Sequence, residues 1–168
     1  SPAPSASGET AADMDPTRAM KLVAFASGDL IDIEEVEDEM FSQKMMGDGV
    51  AINPSNDMVV APADAEITMI MEDSLHAIGL RLENGADILI HIGLDTVKMG
   101  GEGFRLLTKN GAKVKEGDPL IQFSSAAIKA AGYKDTIILA VTNSADYPQM
   151  KKEPDAPVAV GESTIITF

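Results

Sequence analysis

The stretch HAIGLRLENGADILIHIGLD, His76 to Asp95, decides how the chain is to be read. Two apolar runs flank Asn84-Gly85, the dipeptide that most strongly marks a β-hairpin with a two-residue type I′ turn. Glu83 then pairs with Ala86, His91 lies opposite Ile78 and His76 opposite Gly93. Side chains alternate faces along a strand, so the pattern predicts that His76, Ile78 and His91 share one face. The two histidines become diagonal neighbours about 7–8 Å apart at the backbone, close enough for their rings to meet. A slip of one residue in register would move one ring to the other face. Gly93, opposite His76, is expected to leave room for a ring or a bound group.

Outward from the hairpin, short apolar or alternating runs continue in both directions. They are Leu22 to Ala26, Gly49 to Ile52, Met58 to Ala61, Glu66 to Met71, Phe104 to Thr108, Leu120 to Phe123, Thr136 to Thr142 and Ser163 to Phe168. Gly, Pro, Asn and Asp punctuate them. Many short strands with frequent turns predict an all-β, antiparallel sandwich or barrel. One segment departs from this pattern. Ser125 to Ala131 contains helix formers, with Ser124 or Ser125 as N-cap and Gly132 in position to end the helix, so one short helix is expected.

The first 18 residues are rich in Ser, Ala, Pro and acidic side chains and bury too little apolar surface to offset their ordering entropy. They are read as a disordered linker or tail, 1–18, ahead of one domain, 19–168. A chain that starts SPAPSASGET without a Met is expected to be a piece of a longer protein. That start also lacks the charged and apolar regions of a signal peptide. No apolar run reaches the roughly 18–20 residues of a membrane helix.

The net charge of −14, from 27 acidic and 13 basic residues, argues against nucleic-acid binding, which needs Lys and Arg to neutralise phosphates. It suits partners that carry positive charge. The sequence has no cysteine, so disulfides and thiol chemistry are excluded. His76 and His91 are its only histidines. A single histidine is more often structural than functional, but two converging on one apolar face are harder to explain that way. One imidazole could accept a phosphoryl group while the other donates to its oxygens, with the Ser74 hydroxyl steadying a ring. The same pair could instead be half of a zinc site, completed by carboxylates or by a partner. A methionine-rich apolar stretch, Met40-Phe41 and Met45-Met46, with Met71 in addition, fits either a core or a surface that must suit several partners.

Taken together, FSQKMMGDGVAI (Phe41 to Ile52), MVVAPADAEIT (Met58 to Thr68), HAIGL, ILIHIGLDTV (Ile88 to Val97), GEGF (Gly101 to Phe104), KVKEGDPLIQF (Lys113 to Phe123) and VGESTI (Val160 to Ile165) resemble the glucose-type enzyme IIA family of the phosphoenolpyruvate-dependent sugar phosphotransferase system. The resemblance spans Leu22 to Phe168. AAGYKDT and VTNSADY look more like its β-glucoside or sucrose subgroup. The family departures are Ala65 for a usual Gly, Glu37 for a usual Pro, and Ile138-Leu139-Ala140 for TPV.

The resemblance implies a β-sandwich of the barrel-sandwich-hybrid type. It implies that His91 is the phosphoacceptor, modified on Nε2, and that His76 supports onward transfer. Ser74 stands where the family usually has Thr, and Asp38 and Asp95 match acidic positions at the rim. It implies HPr as phosphoryl donor and a cysteine of a IIB domain as acceptor, the latter on one polypeptide with a membrane IIC domain. The location implied is the cytoplasm. No cofactor is expected, and any zinc on His76 and His91 would be adventitious or shared with a partner. Two competing classes fit the sequence poorly. A lysostaphin-type zinc peptidase needs an H-x-H pair, and a biotinyl or lipoyl carrier needs its lysine at a hairpin tip, for which Lys98 is the nearest candidate.

Overall fold

The computed structural model describes residues 14–168. Of the stretch expected to be a linker, residues 1–13 lie outside the described residues. Arg18 reaches Glu83 at 3.1 Å, and Gln149 Nε2 donates to the Pro16 carbonyl at 2.9 Å.

Every strand pairing is antiparallel. The largest sheet has eight strands in the spatial order Ala156–Val158, Gly28–Asp32, Asp48–Pro54, Lys134–Val141, Asp87–Leu94, Ala77–Leu82, Ala65–Ile70, Lys113–Val114. Two three-stranded sheets complete the sandwich: Lys21–Val23, Thr164–Thr167, Lys151–Lys152, and Met58–Val60, Pro119–Phe123, Phe104–Leu106. Alternation divides the large sheet between two apolar clusters. Ile88, Ile90 and Ile92 enter the main core with Ile78, Leu80 and Leu139. The opposite face carries a smaller cluster that includes Phe41, Ala51, Ile138 and Ala140.

Each of the ten apolar runs is a strand. Four further strands and one helix escape the apolar pattern. Gly28–Asp32 reads GDLID, a turn-like composition, and only Leu30 in it is buried. Lys113–Val114 and Lys151–Lys152 are two residues long. Ala156–Val158 holds a proline, which a sheet accepts at an edge such as this one. The expected helix is Ser125–Ala130, with the Ser124 hydroxyl accepting from Ala127 N and Gly132 at φ 90° just past the end. A second helix, Glu39–Ser42, corrects the expectation of one. The Asp38 carboxylate caps it by accepting from Met40 N.

The hairpin register also differs from expectation. Arg81 faces Asp87, Leu80 faces Ile88 and Ala77 faces His91, one residue away from the two-residue-turn register. The loop is three residues long: Gly85 N donates to the Leu82 carbonyl and Leu82 N to that of Ala86. Of Asn84 and Gly85, only Gly85 has positive φ, at 87°, so this is a turn followed by a glycine bulge and not a type I′ turn. Asn84 Oδ1 accepts from Ala86 N, Tyr147 Oη donates to the Asn84 carbonyl, and Asn143 Nδ2 donates to that of Gly85.

Ala65 takes ordinary strand backbone between Leu82 and Val114, so the turn tolerates the loss of the family glycine. Gly49 is less replaceable. A Cβ there would lie 1.9 Å from the Leu139 carbonyl oxygen of the neighbouring strand. Gly49→Ala is therefore expected to cost about 3 kcal/mol or more, since backbone must separate in the middle of the sheet. Urea unfolding measures this, and a loss under about 1 kcal/mol would show that the strands part easily.

Candidate functional site

His91 stands on strand Asp87–Leu94, the fifth strand of eight, held by Lys134–Val141 on one side and Ala77–Leu82 on the other. Its ring lies on the face of the smaller cluster, not on the face of Ile78. Phe41 packs on it with ring centroids 4.9 Å apart. At strand residue Gly93 the backbone turns into the left-handed region, φ 80°, and the ladder to Lys134–Val141 shifts register. The Gly93 carbonyl thereby comes within 2.8 Å of His91 Nδ1. A carbonyl only accepts, so Nδ1 carries the proton and Nε2 keeps its lone pair. Gly93 serves the backbone, and the space beside its Cα is already filled. A Cβ there would lie 2.4 Å from Thr96 Cγ2.

His76 arrives by another route. It precedes strand Ala77–Leu82, after Leu75 at φ 55°, so strand alternation does not govern its direction. Its carbonyl accepts from Ile92 N at 2.7 Å, placing it opposite Ile92 and not Gly93. Its ring meets that of His91 edge-on, with centroids 4.6 Å apart and planes at 88°. Ser74 Oγ lies 2.6 Å from His76 Nδ1, and both residues are buried. The sequence-derived convergence of the three side chains is thus present, although the register that predicted it is wrong.

Asp38 caps the short helix that carries Phe41, and Asp95 is exposed at φ 63° directly after the strand. Both charges act on the His91 ring. Burial, and next the neighbouring His76, push the His91 pKa from 6.5 down to about 4, against the opposing pull of the Gly93 carbonyl, Asp38 and Asp95. Burial also lowers the pKa of His76. His91 is therefore neutral at pH 7, the form with a free lone pair. Its folded pKa lies below its ordinary value, so the folded state binds fewer protons between the two. Stability should fall as pH drops from about 6.5 toward 4. Between pH 7 and pH 5, the wild type should lose about 2 kcal/mol more than His91→Gln in denaturant titrations. Equal losses would place the His91 pKa near 6.5.

The exposed large apolar side chains of the described residues are Met40, Met45, Met71 and Val97. All lie on segments beside the histidines: the capped helix and its following turn, the turn before His76, and the turn after Asp95. Met46 is half-buried against the smaller cluster, so the methionine run divides between surface and core. Lys98 lies on the 3-10 turn Thr96–Met99 and not at a hairpin tip. Among the described residues, no group of three or more His, Asp or Glu side chains is arranged to hold a metal ion. No helix among them is long and apolar enough to cross a membrane. Sequence reasoning missed Phe41 as a wall of the site and Thr96 beneath it. The signals available were an aromatic in the methionine run and a Thr directly after Gly93-Leu94-Asp95.

Comparison with known proteins agrees with this architecture. The chain is 41% identical over 145 residues to the glucose-specific EIIA component of the phosphotransferase system of Oceanobacillus iheyensis, covering 86% of this chain and 87% of that one. It is 37% identical over 147 residues to the corresponding component of Staphylococcus epidermidis, covering 88% of each. The solved glucose permease IIA from Mycoplasma capricolum superimposes with a TM-score of 0.78 at 29% identity, over 90% of this chain and 96% of that one. Residues 20–147 match the family described as "phosphoenolpyruvate-dependent sugar phosphotransferase system, EIIA 1". With the match spanning most of the sandwich and both histidines, the chain belongs to the EIIA 1 family of the phosphoenolpyruvate-dependent sugar phosphotransferase system.

Proposed function

We propose that this chain is a phosphoryl carrier in sugar uptake, taking the group from the phosphohistidine of HPr onto His91 Nε2 and handing it to a cysteine of a IIB domain. The observation that carries the reading is the Nδ1 contact to the Gly93 carbonyl, which leaves Nε2 as the nucleophilic nitrogen. In the first step the Nε2 lone pair forms a bond to phosphorus as the donor's N–P bond breaks and its electron pair returns to the donor ring. In the second step a thiolate sulfur bonds to phosphorus and the pair returns to Nε2. Little covalent work falls to the protein, so rate depends on alignment and on stabilising charge at the phosphoryl oxygens.

His76, whose ring centroid lies 4.6 Å from that of His91, is the group that can donate to those oxygens. If Ser74 Oγ–H donates to His76 Nδ1, the other His76 nitrogen carries its proton and is available as a donor. Met40, Met45, Met71 and Val97 offer an apolar docking rim, with Asp38 and Asp95 adding negative charge that suits a basic partner surface. The IIB domain is proposed to share a polypeptide with a membrane IIC domain, with transfer taking place in the cytoplasm. Incubation with phosphoenolpyruvate, enzyme I and HPr should add one acid-labile phosphoryl group per chain. No incorporation would overturn the reading.

A further inference from the structure

Thr96 has a buried hydroxyl that no step described so far uses. Its residue is fully buried, and Oγ1 donates to the Ile92 carbonyl at 2.5 Å. Ile92 is the residue through which both histidines are joined by backbone. Its N–H donates to the His76 carbonyl, and its own carbonyl begins the peptide that leads into Gly93. Gly93 in turn supplies the oxygen that holds His91 Nδ1. The backbone here has lost regular sheet geometry: Gly93 has φ 80°, Asp95 has φ 63°, and the ladder to Lys134–Val141 shifts register alongside. A carbonyl on such a segment is not aimed by the sheet, so another contact must fix its direction.

We propose that Thr96 is a positioning residue: its hydroxyl clamps the Ile92 peptide, aims the Gly93 carbonyl at His91 Nδ1 and so keeps Nε2 as the free nitrogen of the acceptor ring. The proposal rests on the reading of His91 as acceptor for its kinetic consequence, but not for its effect on the tautomer. The methyl group of Thr96 has a separate part. It fills the space beside Gly93 Cα that a Cβ would need, and so limits how far that peptide can rotate. The two neutral imidazole tautomers differ little in free energy in water, so one well-placed acceptor is enough to select between them. Loss of the clamp lets Gly93 O drift and admits the tautomer with its proton on Nε2, which has no lone pair to offer phosphorus.

Thr96→Val removes the hydroxyl and keeps the shape, whereas Thr96→Ser keeps the hydroxyl and removes the methyl. Nitrogen-detected NMR of the His91 ring reads the tautomer without any phosphoryl transfer. The wild type and Thr96→Ser should show Nδ1–H as the dominant form, and Thr96→Val a mixture. The rate of acceptance from phospho-HPr should fall on the order of 10-fold in Thr96→Val and return to within about 3-fold of wild type in Thr96→Ser. A folded Thr96→Val with unchanged tautomer and rate would overturn the proposal. If Thr96→Val does not fold, Thr96→Ala against Thr96→Ser decides, since both lack the methyl and only the serine keeps the hydroxyl: a mixed tautomer in Thr96→Ala alone supports the clamp, and equal tautomer populations in the two would overturn it. A tautomer shift in Thr96→Val in a protein whose wild type takes up no phosphoryl group would leave the clamp standing and remove the carrier reading instead.

Discussion

His91→Ala, incubated with phosphoenolpyruvate, enzyme I and HPr, is expected to incorporate no phosphoryl group, a drop of at least about 1,000-fold against wild type. The sequence has no cysteine, and His76 has its Nδ1 engaged with Ser74 in a residue only 4% exposed. The variant should remain folded, because the half-buried His91 ring packs on the outer face of the sheet and not in the main core. His91→Gln, which fills more of the space against Phe41, should give the same null result. Circular dichroism and the urea midpoint verify folding in both. Undiminished labelling of either folded variant would remove His91 from the acceptor role.

The second large effect is expected at His76, and it is asymmetric. His76→Gln should accept phosphoryl from HPr within a few-fold of wild type, yet pass it to a IIB domain on the order of 100-fold more slowly. The asymmetry follows from the charge of the two nucleophiles. On the carrier reading, His91 attacks as a neutral ring, so its approach to the anionic phosphoryl group meets no net repulsion. A cysteine attacks as a thiolate, and its negative charge must approach oxygens that are already negative. A donor held beside the transferring group reduces that repulsion, and the His76 ring, 4.6 Å from that of His91 between centroids and with its Nδ1 against Ser74 Oγ, is the one proposed to supply it. A glutamine amide keeps a donor but not the ring's reach or its ability to gain a proton as charge develops. Rapid-quench measurement of the two half-reactions separates them. Equal losses in both would assign His76 to holding His91 and not to the phosphoryl oxygens.

The all-β fold was legible because apolar runs of four to eight residues between turn formers have few other uses. What escaped detection was short, polar or edge-bound: GDLID, two pairs of residues, and a proline-bearing edge. Register failed for an instructive reason. Asn84-Gly85 alone favours a two-residue turn, but Tyr147 and Asn143, about 60 residues downstream, bind the carbonyls of Asn84 and Gly85 in the longer loop. No reading of twenty residues includes those contacts. The histidines still meet because a second assumption failed along with the first. His76 is not part of the strand, and Leu75 at φ 55° redirects it. Helix Glu39–Ser42 was equally hidden, since four residues give no periodicity and only its Asp38 cap marks it.

On the proposed reading of His91 as acceptor, the rigidity of its mount also governs the order of encounters. With the ring fixed by the Gly93 carbonyl and backed by Phe41, its Nε2 lone pair defines a single line in space. Under in-line displacement, the donor nitrogen must sit on that line beyond phosphorus, and the attacking sulfur must later occupy the same point. Two macromolecules cannot fill one volume together. Donor and acceptor are therefore mutually exclusive, no ternary complex forms, and steady-state plots with both partners varied should be parallel lines. Excess of the unphosphorylated donor should compete with the acceptor, so throughput depends on how fast the spent donor departs.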